Sequence, residues 1–114
     1  MVRTPGTRVF AIQDADDDIV RAFGEGVYIG DEVPPADGPD APQGWIAHAI
    51  RECGHTNPKI LLDSGAVVWG CECWWGCAAP EQVIRGRKVE MVDIRALREK
   101  TPRGDDIRGV LELK

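Results

Sequence analysis

The chain has 114 residues, of which 43% are hydrophobic and 29% charged, a size and balance that fit one globular domain spanning residues 1–114. This excludes collagen-like, low-complexity and wholly disordered chains, and no apolar run approaches the ~20 residues that a membrane-spanning helix requires. A net charge of -5 argues against a general nucleic-acid binder, whose affinity rests on neutralising phosphates.

Arg8–Gln13 alternates polar and apolar residues and reads as a strand. Asp14–Asp18 follows as an acidic turn or a helix N-terminus. Ile19–Phe23 is too short to assign by period, Gly24-Glu25-Gly26 reads as a break, and Val27–Ile29 is β-rich again. The proline-rich stretch 34–43 is a loop, since it suits neither a helix nor a central strand. Residues 44–52 form the main helix, with Trp45, Ile46, Ala49 and Ile50 on one face, and Gly54 and Pro58 beyond its end. Lys59–Leu62 and Ala66–Trp75 read as a hairpin around Asp63-Ser64-Gly65.

Ala78–Arg85 has Pro80 in its first turn and reads as a short helix. Arg87–Ile94 alternates as a strand, and Ile94–Lys100 is a further short helix capped by Asp93. Residues 1–7 and the tail after about 102 are expected to be flexible, with Val110–Leu113 either an edge strand or frayed. The expected fold is α+β: a small twisted antiparallel sheet or partly open barrel, one main helix and one or two short ones.

Charge is uneven along the chain. Residues 1–80 carry a net -7 and residues 81–114 a net +2, with Arg85, Arg87, Lys88, Arg95 and Arg98 close together. That cluster reads as a solvated mixed-charge face or as a docking surface for an acidic partner. The charged start, Met1–Arg8, has no apolar stretch behind it and does not read as a secretory signal, so the cytoplasm is the expected compartment. Disulfides are then not expected among the four cysteines.

Cys71 and Cys73 share a face if a strand runs through them, and Cys77 follows a glycine that lets it curl back. With Cys53 or His55 they would complete a tetrahedral zinc site, although Cys-x-Cys and Cys-x-His are tighter than the usual ligand pairs. The alternative is that the thiols are small core side chains. No cofactor is therefore expected, with zinc as the alternative. Asp14, Asp16, Asp18 and Glu25 fall at calcium-loop spacing, but Ile19 stands where the loop needs glycine, so a solvated acidic turn fits better. Gly24, Gly26 and Gly30 miss the phosphate-binding register and suit β-bulges.

No catalytic set is evident. Two histidines leave little for acid–base chemistry, His48 lies beside the apolar helix face, and a Cys53–His55 thiol–imidazole pair is the one enzymatic alternative. Trp69, Trp74 and Trp75 crowd one stretch, and a strand through Trp74 and Trp75 points them to opposite faces. An outward tryptophan is a candidate binding anchor.

Three stretches carry a resemblance: Gly24–Pro35 (GEGVYIGDEVPP), Asn57–Gly65 with its NPKI and LDSG strings, and Val67–Gly76 (VVWGCECWWG). They resemble a family of small uncharacterised proteins of actinobacteria and their phages, across most of residues 8–95. The resemblance implies a phage or mobile-element origin and a bacterial host cytoplasm, and supplies no catalytic or binding residue. The expected function is a non-enzymatic accessory protein that binds a host or phage protein, through an outward tryptophan (Trp74 or Trp75) together with Tyr28, Asp31 and Glu32. No membrane and no nucleic acid are expected as partners, and a homo-oligomer stays open. A zinc-stabilised binding module and a small Cys/His enzyme are the alternatives.

Overall fold

The computed structural model describes residues 4–100. Strand β1 (Arg8–Ala15) turns at Asp16–Asp18 into the long strand β2 (Ile19–Glu32). The turn is closed by the Asp16 carboxylate, which accepts the Asp18 and Ile19 amides at 2.8 and 2.9 Å. Those two bonds hold the Asp16 pKa below its ordinary value. Asp14 pairs with Arg21 at 2.7 Å and Glu25 with Arg8 at 3.7 Å. The four carboxylates at calcium-loop spacing are thus distributed along a hairpin.

Gly24–Gly26 does not break the chain; β2 runs through it for 14 residues. Gly24, at φ +118°, sits at a bulge where Ala11 pairs with Gly24 but Ile12 pairs with Ala22. Gly26 serves a close approach instead: a Cβ there would lie 2.5 Å from the Leu61 carbonyl oxygen. Gly26→Ala is expected to destabilise the fold by about 1–3 kcal/mol through forced backbone shifts, read as a lower urea midpoint.

After the loop come α1 (Trp45–Glu52), β3 (Asn57–Leu62), β4 (Val67–Trp69), a 3-10 helix (Gly70–Glu72) and β5 (Trp74–Gly76). Next are α2 (Pro80–Ile84), β6 (Lys88–Met91) and α3 (Ile94–Lys100). The six-stranded sheet has the order β4-β3-β2-β1-β5, with β6 pairing the first residues of β2. All pairings are antiparallel except β2 with β6. The sheet is open and not closed into a barrel, and with the three helices the fold is α+β as expected.

Two further sequence expectations change. The strand expected over Ala66–Trp75 stops at Trp69, because Gly70–Glu72 coils inward and carries Glu72 to Arg98. The helix is where it was expected, but its apolar face is not covered: Trp45 is 61% and Ile46 51% exposed, and Ala47 is the helix residue that is buried. Arg51 fastens this helix by donating to the Pro42 carbonyl at 2.7 Å. The Asp63-Ser64-Gly65 turn, the proline-started α2 and the Asp93 cap of α3 form as expected.

The sheet buries one cluster on each face. Val9, Ala11, Phe23, Tyr28, Ile60, Leu62 and Val68 pack with Ile94 of α3. Phe10, Val20 and Ala22 pack with Ile12 and with Val83 of α2 on the opposite face. Residues 4–7 are tied down, since Tyr28 exchanges backbone hydrogen bonds with Gly6 and Thr7 at 2.8 and 3.0 Å. The expected Val110–Leu113 strand lies outside the described residues, as do the ends at 1–3 and 101–114. Among the described residues, no helix is long and apolar enough to cross a membrane.

Candidate functional site

The two adjacent tryptophans of β5 do point to opposite faces. Trp75 pairs with Ala11, is partly buried against the larger cluster, and stacks on Tyr28 with ring centroids 5.5 Å apart and planes 19° apart. Trp74 pairs with Ile12 on the other face and is 74% exposed. Ile12 and Phe10 share that face by the two-residue period of a strand, and α2 brings Val83 and the preceding Ala78 against it. The result is an open apolar groove of about 220 Å³, walled on one side by the Trp74 indole.

Fixed geometry supports the groove. The Tyr28–Trp75 stack anchors β5 from behind, and the Tyr28 hydroxyl donates to Asp31 Oδ1 at 2.6 Å. That bond, with burial, raises the tyrosine pKa. Tyr28 is thus a buried positioning residue. Asp31 and Glu32 lie at the far end of β2, where they pair with Pro58 and Asn57 of β3, and Glu32 meets Lys59 at 3.4 Å. Of the five residues expected to bind, Trp74 and Trp75 both line the groove, although the Trp75 ring turns to the other face and stacks on Tyr28. Tyr28 is bonded to Asp31, and Asp31 and Glu32, at the end of β2, pair with β3 and do not line the groove.

The cysteines are spread similarly. Cys53 ends α1, and His55 follows it; both are exposed, as is Cys77 beyond β5. Cys71 lies in the 3-10 helix, with its amide donating to Asn57 Oδ1 at 2.7 Å, and the Cys73 thiol faces the Trp69 carbonyl at 3.4 Å. Burial, reinforced by the Glu72 charge, pushes the Cys71 thiol up to about 11 and the Cys73 thiol up to about 12. In the metal-free protein both thiols are thus held protonated near pH 7, which makes them poor nucleophiles. Among the described residues, no group of three or more His, Cys, Asp or Glu side chains is placed to hold a metal ion.

Sequence reasoning missed the rest of the groove. Phe10 and Ile12 carried a usable signal, their shared strand face, but Ala78 and Val83 are brought there by tertiary packing. The chain matches no family model, no curated protein and no solved structure.

Proposed function

We propose that the chain is a non-enzymatic accessory protein that acts by binding another protein through the Trp74 groove. The carrying observation is Trp74, 74% exposed on a short edge strand beside a preformed apolar groove. Tryptophan concentrates interface energy because it buries a large rigid surface, and a prearranged backbone reduces the ordering cost of association. The resemblance carried by the strings around Gly24, Asn57 and Val67 suggests a phage or mobile-element origin and a host or phage protein as partner.

Trp74→Ala is expected to cost about 2 kcal/mol or more of binding, roughly a thirtyfold loss of affinity, while leaving the melting curve unchanged. The test is affinity capture from an actinobacterial lysate on wild type, Trp74→Ala and the α1 variant Ile46→Ser, followed by titration of the captured partner as a purified pair. A partner kept by wild type and Ile46→Ser and lost by Trp74→Ala supports the groove. Equal affinity of all three for every captured protein overturns it.

A further inference from the structure

The apolar groove runs into a polar depression. Ala78 and Val83 line both, and Gln82, Arg85 and Arg87 complete the second. Neither arginine forms an ion pair among the described residues. Arg85 Nε donates to the Gln82 carbonyl at 2.9 Å, which ties the guanidinium to α2 at the depression it lines. Arg87 is near enough to Asp16 to help lower that carboxyl's pKa, so the hairpin tip bounds the basic region on one side.

Arg85 is held in an unusual backbone state. At φ +51° it is the only non-glycine residue with positive φ among those described, and it occupies the left-handed C-cap of α2. Glycine takes that conformation without the Cβ clash that an arginine incurs. Gly86, the next residue, is also left-handed, at φ +78°. A disfavoured side chain thus stands at one of the two positions that set a cation beside the groove, a kind of strain that clusters at functional sites.

Building on the assignment of the Trp74 groove to protein binding, we infer that its occupant is an acidic segment of the partner. A large apolar residue sits against Phe10, Ile12 and Val83, and neighbouring carboxylates meet Arg85 and Arg87. A cavity of about 150 Å³ admits a benzene ring, so 220 Å³ takes one aromatic or branched aliphatic side chain. Arginine suits the flanking contact because its planar fork binds carboxylate in a bidentate manner. In a chain of net charge -5, two arginines beside the groove, without ion pairs among the described residues, favour this face for an acidic segment.

The test is fluorescence anisotropy on the full chain, using a fluorescein-labelled peptide that alternates Asp and Leu. Controls replace each Asp by Asn, or each Leu by Ser, and a labelled single-stranded DNA serves as a competing polyanion. The Asp/Leu peptide is expected to bind, to weaken with added salt, and to lose about tenfold or more on Arg85→Gly, Arg85→Gln and Trp74→Ala. Arg85→Gly is expected to melt at or above the wild-type temperature, because glycine relieves the left-handed cap. A lower melting temperature for that variant overturns the argument that the arginine is kept for binding. An Asn/Leu peptide that binds equally well and still needs Trp74 overturns the acidic occupant and leaves the protein-binding groove standing. No binding of the Asp/Leu peptide, or tighter Arg85-dependent binding of the DNA, also overturns the inference.

Discussion

Arg98→Ala is expected to destabilise the protein by about 3–5 kcal/mol, because it leaves a carboxylate uncompensated in the interior. The Arg98 side chain is buried, and Glu72 is nearly so. Its Nε and Nη2 grip the two Glu72 oxygens at 2.9 and 2.6 Å, a bidentate fork. Nη1 and Nη2 also donate to the Pro39 and Val67 carbonyls at 2.7 and 2.6 Å. One guanidinium thereby joins α3, the 38–43 loop, β4 and the 3-10 helix. Truncation removes these four hydrogen bonds and the 3.7 Å pairing with Asp40, and among the described residues Glu72 keeps the Trp69 amide at 3.0 Å.

A companion variant separates the ion pair from the packing. Arg98→Met with Glu72→Leu removes both charges while filling similar space, and replacement of buried pairs by apolar residues is often neutral. The double variant is expected to be more stable than Arg98→Ala, with urea midpoints as the readout. If Arg98→Ala shifted stability by no more than about 0.5 kcal/mol, the scale of an ordinary surface change, the junction would not hold the fold together.

This junction also explains where sequence reading falls short. Val67–Trp75 carries a strand-like composition, yet the chain coils at Gly70 because Glu72 must reach an arginine 26 positions away. No local pattern encodes that demand. Gly24-Glu25-Gly26 misleads in the opposite direction: glycines that punctuate a loop elsewhere admit a bulge and a close carbonyl inside a long strand. Where local chemistry decides, the residues are legible. The Asp93 cap, the Asp63-Ser64-Gly65 turn and the opposed directions of Trp74 and Trp75 need only their neighbours. Periodicity identified the shared apolar face of α1 but not its exposure, since spacing states which residues lie together and not what covers them. The groove shows the same division, with Phe10 and Ile12 readable from alternation and Val83 supplied by tertiary packing.

Trp69→Ala is expected to cost about 3–5 kcal/mol, the range for truncating a large buried aromatic. Trp69 is 1% exposed, and its indole donates to the Asp40 carbonyl at 2.8 Å. Asp40 is bound four ways at once, because its carboxylate also accepts the Val67 amide at 3.0 Å and pairs with Arg95 at 3.2 Å and with Arg98 at 3.7 Å. The indole therefore fills the space beneath β4 and fixes the loop that borders this edge strand. Trp69→Phe keeps most of the ring and deletes the donor, so it is expected to lose less, about 1–3 kcal/mol. Hydrogen exchange distinguishes the two roles. Releasing Asp40 should speed exchange of the Val67 amide in both variants, whereas the loss of packing should lower global stability far more in Trp69→Ala. Equal losses in the two variants would place the energy in the hydrogen bond, and unchanged Val67 exchange would show that the loop is held without the indole.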